Sequence, residues 1–116
     1  MTTHLDCIFC KIVASQIPSR KAYEDDELLV FHDINPTAPV HLLVVPKEHF
    51  ENLISAKPDH AALLGRMQLL APRLAAENGA ANGFRTVINN GPDGRQEVYH
   101  LHMHIMGGAH PWKRMG

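Results

Sequence analysis

The chain has little of what usually settles a protein's class at a glance: two cysteines, one tryptophan, a formal net charge of −1, and no long apolar run in 116 residues. Each shortage excludes something. Without a surplus of lysine and arginine there is no broad surface for gripping phosphates, so a protein that coats nucleic acid is not expected. No apolar stretch approaches the ~20 residues that span a bilayer. The opening residues Met1-Thr2-Thr3-His4-Leu5-Asp6 also lack the basic and apolar regions of a signal peptide. The expectation is therefore a cytoplasmic protein with no membrane partner. In a reducing cytoplasm, two cysteines are more often free or metal-bound than joined in a disulfide. With 45% hydrophobic and 20% charged residues, the composition leaves no disordered segment to explain, and the length suits one domain over 1–116.

The apolar pattern yields a short list of elements. Ile8, Phe9, Ile12 and Val13 recur at helical spacing and predict a short N-terminal helix over 7–14. Tyr23-Glu24 and 28–32 flank the acidic turn Asp25-Asp26-Glu27 and predict a hairpin. The nearly continuous apolar run 40–45, closed by Pro46, reads as a central strand covered on both faces. Leu63, Met67, Leu70 and Leu74 form the stripe of one long helix, with Pro58 near its first turn and Gly79 as its C-cap. Pro72 lies inside it, where a kink is expected but not a break. A fourth strand over 83–89 ends in the turn cluster Asn90-Gly91-Pro92-Asp93-Gly94, and a fifth is expected over 98–106, followed by an irregular tail over 107–116. The fold class that results is α+β, a mainly antiparallel five-stranded sheet with one long and one short helix.

Histidine is the residue in excess, at nine copies, and three of them alternate: His100, His102 and His104. On a strand such residues share one face, roughly 7 Å apart at ~3.3 Å of rise per residue, while Leu101, Met103 and Ile105 share the other. Histidine has no special liking for strands. Near neutral pH, however, a row of imidazoles can hold a nucleophile and a proton donor side by side. A metal site built from the triplet alone is the other chemical reading, although one strand rarely sets three nitrogens around one ion.

The segment His100-Leu101-His102-Met103-His104-Ile105-Met106 resembles the signature of the histidine triad (HIT) superfamily, histidines alternating with apolar residues. The resemblance extends upstream through Phe31-His32-Asp33-Ile34-Asn35-Pro36-Thr37-Ala38-Pro39-Val40-His41 and through Gln96-Glu97-Val98-Tyr99. Gly107-Gly108 after the triad is similar to the Hint branch, the nucleoside phosphoramidases. What it implies is a hydrolase for purine nucleoside 5′-phosphoramidates in which His102 becomes transiently nucleotidylated, with no cofactor in the chemical step. His104 and His41 would contact phosphate oxygens or orient the nucleophile, and Asn89 would bond near the phosphate. Phe9, Ile12, Phe31 and Ile34 would hold the nucleoside, Asp33 the ribose hydroxyls, and the amides of Arg95, Gln96 and Glu97 the phosphate. Glu97 departs from relatives that carry serine there, and a carboxylate repels phosphate.

A subset of the family pairs Cys7 and Cys10 with histidines at positions 49 and 100, so the resemblance also implies a structural zinc held by Cys7, Cys10, His49 and His100. It implies a homodimer too, with His110-Pro111-Trp112 reaching toward the partner's site. Two other functions stay open on sequence alone. One is dinucleoside polyphosphate hydrolysis or nucleotidyl transfer, as in another branch, and the other is a zinc-containing nucleotide-binding module with no useful turnover.

Overall fold

The computed structural model describes residues 6–109. Helix α1 is Ile8–Val13, and the Sγ of its N-cap Cys7 accepts the Cys10 amide at 3.3 Å. Strands β1 (Lys21–Glu24) and β2 (Leu28–His32) form the expected hairpin. Asp25 fixes its turn, Oδ1 accepting the amides of Glu27 at 2.8 Å and Leu28 at 2.9 Å. Strand β3 is Val40–Pro46; a 3-10 turn, Pro58–His60, leads into α2, Ala61–Glu77; β4 is Phe84–Val87 and β5 is Met103–Gly107. The five strands make one antiparallel sheet in the order β1-β2-β3-β5-β4. The fold is α+β, as the sequence predicts.

Alternation along the strands sorts side chains onto two faces. Leu28, Val30, Leu42, Val44, Met103 and Ile105 pack toward Leu63, Met67, Ala71, Leu74 and Ala75 of α2. Their neighbours Leu29, Phe31, Leu43 and Val45 pack on the other face with Phe9 and Ile12 of α1. Both faces of β2 and β3 are thus covered, which is why 40–45 reads as an unbroken apolar run. Helix α2 passes through Pro72 without a break, and Gly79, with φ of 105°, follows its C-cap Asn78. Among the described residues no helix is long and apolar enough to cross a membrane.

The fifth strand needs correction. It was expected over 98–106, but the ladder begins at Met103, and the last β3 partner is Val44. Two features end it. Proline has no N–H to donate, and the carbonyl of Pro46 is taken by the His100 ring, Nε2 donating at 2.7 Å. The chain before Met103 is held by a different neighbour, the Leu101 amide donating to the Phe50 carbonyl at 2.8 Å. At its other end β5 runs to Gly107, one residue into the expected tail. The segment His110-Pro111-Trp112 lies outside the described residues.

Candidate active site and metal centre

On the α1 face of the sheet lies a cleft of about 360 Å³, a volume that suits a small ligand. It opens between α1, the end of β2, the turn 89–98 and the start of β5. Phe9, Ile12, Phe31, Asp33, Ile34 and Asn89 line it, as do Arg95, Glu97, His102 and His104. Phe9, Ile12 and Phe31 are at once core and wall, since each is also buried. Ile34 is 90% exposed at the rim.

His102 and His104 do face the same way, with ring centroids 5.1 Å apart. The rings lean together, closer than the roughly 7 Å of an ideal strand. Hydrogen bonds assign their tautomers. His102 Nδ1 lies 2.8 Å from the His100 carbonyl, which can only accept, so that nitrogen carries the proton and Nε2 keeps its lone pair. Burial lowers the His102 pKa, against the opposing pull of the His100 carbonyl and the charges of Asp33 and Glu97. The ring is therefore held neutral near pH 7.

His41 does not line the cleft but sits behind His104. The Thr37 amide donates to its Nδ1 at 3.1 Å, so its proton is on Nε2, 2.8 Å from His104 Nδ1 and 3.4 Å from an Asp33 carboxylate oxygen. His104 Nδ1 thus accepts, and the remaining nitrogen of a neutral His104, Nε2, is the one with a proton to give. Burial, then the like charges of His102 and His41, push the His104 pKa down to about 4. Burial also lowers that of His41, with Asp33 opposing.

The turn after β4 is built differently from the expectation. The Asn89 side chain donates to the Gly94 carbonyl at 2.7 Å, so it closes the turn while lining the cleft. The Arg95 and Gln96 amides donate to Pro92 and Gly91 carbonyls. These two amides are therefore spent inside the turn, a correction that leaves only Glu97's outside those turn bonds. The Gln96 side chain is buried away from the cleft. Its oxygen accepts from Asn52 at 3.0 Å and the Gly91 amide at 2.9 Å, and its nitrogen donates to the Glu51 and Val98 carbonyls. Asp33 similarly caps Asn35 through Oδ1 at 2.8 Å while its other oxygen faces His41.

Sequence reasoning missed part of the wall. His32, Ile17, Pro18 and Ser19 all border the cleft. His32 ends β2 beside Asp33, and burial and Arg20 lower its pKa. Its place in the segment before Asp33 was the available signal; nothing in the periodicity marks 17–19.

Away from the cleft mouth, Cys7, Cys10, His49 and His100 bring their donor atoms within 4.8 Å of one another. His100 Nδ1 lies 3.3 Å from Cys7 Sγ, 3.5 Å from Cys10 Sγ and 3.2 Å from His49 Nδ1. Cys10 Sγ is 3.3 Å from His49 Nδ1. A tetrahedral ion with bonds of about 2.0–2.3 Å would set its donors roughly 3.3–3.8 Å apart, so these residues fit zinc with little movement. The Nε2–H bond to Pro46 keeps the Nδ1 lone pair of His100 turned to the cluster, the usual arrangement behind a ligating histidine.

The sequence and the fold have counterparts in known proteins. A family profile described as "Scavenger mRNA decapping enzyme C-term binding" matches residues 6–116. Protein HitA of Neisseria gonorrhoeae is 55% identical over 102 residues, 88% of this chain and 95% of its own length. Adenylylsulfatase HINT1 of Arabidopsis thaliana is 47% identical over 103 residues, 87% of this chain and 70% of its own. A Zn-bound histidine triad family protein from Mycobacterium smegmatis superposes with a TM-score of 0.80 at 34% identity, over 90% of this chain and 76% of the other. The chain belongs to the histidine triad superfamily, with Hint-like relatives.

Proposed function

We propose that this protein hydrolyses the P–N bond of purine nucleoside 5′-phosphoramidates through a nucleotidyl-histidine intermediate. The observation that carries the reading is the opposite tautomers of the two cleft histidines. His102 offers a lone pair at Nε2, and His104 offers a proton at Nε2, on rings 5.1 Å apart. In the first step the His102 lone pair forms a bond to the α-phosphorus, the P–N bond breaks, and the leaving amine takes its proton from the His104 side. In the second, water attacks the same phosphorus and returns a proton to Nε2 of His104, the bond from phosphorus to His102 Nε2 breaks, the nucleoside monophosphate leaves, and His102 recovers its lone pair. His41, its proton fixed by Thr37, keeps His104 in the donating tautomer.

The apolar wall of Phe9, Ile12, Phe31 and Ile34 suits a base, and the exposed Ile34 is a surface that a bound base would cover. The second Asp33 oxygen suits a ribose hydroxyl; Arg95 and the Glu97 amide suit the phosphate. Zinc at Cys7, Cys10, His49 and His100 takes no part in bond making or breaking, and a zinc-bound relative of similar fold supports the site. A cytoplasmic homodimer completes the proposal; β4, with Phe84 partly exposed, is an outer strand of the sheet.

One relative bears the name adenylylsulfatase, and the same attack on a substrate with sulfate as leaving group is the rival reading. Turnover of an adenosine phosphoramidate, adenylyl sulfate and a dinucleoside polyphosphate, measured in parallel, ranks them, the first expected to give the highest kcat/KM. His102→Ala is expected to keep nucleotide binding and lose at least about a hundredfold in hydrolysis. Parent protein quenched during turnover should carry a nucleotidyl adduct on His102; a full rate in the variant, or an adduct elsewhere, defeats the mechanism.

A further inference from the structure

The two sites described above meet in one residue. His100 is fully buried, and its ring turns Nδ1 into the Cys7, Cys10 and His49 cluster. Its backbone carbonyl, on the same residue, accepts the Nδ1 proton of His102 at 2.8 Å. Its other ring nitrogen is anchored to Pro46 at the end of β3. The peptide that sets the tautomer of His102 is thus carried by a side chain held from two sides, and one of those sides is the metal cluster. A second link runs through α1. Phe9 stands between Cys7 and Cys10, and its ring meets His102 edge-on, centroids 5.0 Å apart at 87°, and His100 at 6.0 Å.

The ladder does not provide this support. Residues 100–102 precede β5 and lie outside its paired register with β3. The backbone anchor nearby is the Leu101 amide on Phe50, and Phe50 directly follows the cluster residue His49. Both neighbours of the carbonyl therefore lead back to the metal ligands.

We propose that His100 is a positioning residue through which metal occupancy of the Cys7–Cys10–His49–His100 cluster holds His102 in the Nδ1–H tautomer, with Nε2 aimed into the cleft. The proposal rests on the nucleophile assignment made above but is read without substrate. With zinc bound, the ring and carbonyl of His100 are fixed together and Phe9 is pressed on His102. With zinc removed, His100 regains rotational freedom, its carbonyl drifts, and His102 samples the other tautomer. The base wall is largely core and changes less, so the loss should fall on kcat more than on KM.

The test is a chelator titration of the zinc-loaded protein with ¹⁵N-labelled histidine. Long-range ¹⁵N–¹H correlations read the His102 tautomer, metal analysis reads occupancy, and circular dichroism confirms that the sheet stays folded. The expected result is a single Nδ1–H pattern for His102 at full occupancy. It should turn to a mixture in proportion to zinc lost, and kcat should fall about tenfold or more while KM moves less than about threefold, a size typical of lost support around a functional ligand. Readded zinc should restore both. His49→Asn, which leaves His100 and His102 themselves unchanged, should bind less than about a tenth of an equivalent of zinc and show the mixed pattern as purified. If that variant does not fold, the titration of the parent decides. A His102 pattern unchanged until global unfolding, or a folded zinc-free protein with parental kcat, overturns the coupling. A parent that holds the Nδ1–H tautomer but forms no adduct would instead sink the nucleophile assignment and leave the coupling standing.

Discussion

At the scale of single residues, burial decides the chemistry. His104 sits with its pKa down at about 4 because its ring is largely withdrawn from water beside two other imidazoles. A histidine whose folded pKa is depressed is protonated more readily in the unfolded chain, so the unfolded state binds the extra proton as pH falls. Stability is therefore intact above about 6.5 and is lost as pH drops from there toward about 4. Since part of the ring still reaches solvent, the share owed to His104 is about 1 kcal/mol at pH 5, not the several that the full shift would suggest. Urea unfolding at pH 7.5 and pH 5 should show the parent losing about that much more stability than His104→Asn. The comparison cancels the acid sensitivity of the cysteine and histidine cluster, which both proteins share. Equal losses in the two would mean that the neutral ring is not held by burial.

The same scale shows what the residues declared in advance. Cys7, Cys10, His49 and His100 could be grouped only through a family pattern, because 39 positions separate Cys10 from His49 and 51 separate His49 from His100. No local periodicity spans that distance. His41 and His104 are likewise brought to 2.8 Å from 63 positions apart, by the pairing of β3 with β5. The internal bonding of the turn 89–97, by contrast, was not readable. The sequence shows a dense cluster of turn residues but not which amide closes on which carbonyl, and so could not reveal that Arg95 and Gln96 spend theirs inside the turn.

At the scale of elements, hydrophobic alternation was a good guide to faces and a poor one to hydrogen bonding. Leu101 packs with Met103 and Ile105 on the α2 side, as alternation requires, although it lies outside the ladder. Side-chain sorting needs only an extended chain; ladder bonds need a partner with an N–H, and β3 runs out of one at Pro46. The hairpin β1–β2 offers a sharper test of what holds an element in place. Asp25 accepts from the Tyr23 hydroxyl at 2.7 Å and from two turn amides, and it pairs with Arg66 of α2, which also pairs with Glu27. Partial burial favours its neutral form, yet the Tyr23 hydroxyl, the two amides and Arg66 outweigh that and hold the carboxyl well below the usual range. The amide and hydroxyl bonds sit inside the turn, whereas Arg66 is nearly half exposed. Asp25→Ala should therefore cost about 1.5–3 kcal/mol, and Arg66→Ala less than about 1. Denaturant unfolding of both at neutral pH checks the order; a costlier Arg66→Ala would shift the credit from turn to ion pair.

At the scale of the whole molecule, the question is what the proposed metal would add to a chain whose strands β2 and β3 are already covered on both faces. Helix α1 supplies the answer. It has six residues and buries Phe9 and Ile12, a small anchor for a helix of that length. Yet it forms one wall of the cleft. With zinc bound as proposed, the cluster would tie it to the segment after β3 and to the residues before β5. An ion that binds only the folded arrangement adds its binding free energy to folding. At roughly 4 °C in Tm per kcal/mol for a chain of this size, even 2–3 kcal/mol of net zinc stabilisation gives about 8–12 °C. Calorimetry of zinc-loaded and chelated protein should show a drop of at least about 8 °C. Hydrogen exchange of the chelated form, below its transition, should show protection lowered first over residues 7–14 and last in β2, β3 and β5, the helix opening in a minor fraction of molecules and staying docked as the cleft wall in the rest. If chelation lowered Tm but left 7–14 as protected as before, the metal would be stabilising the sheet side of the cluster, and α1 would be held by Phe9 and Ile12 alone.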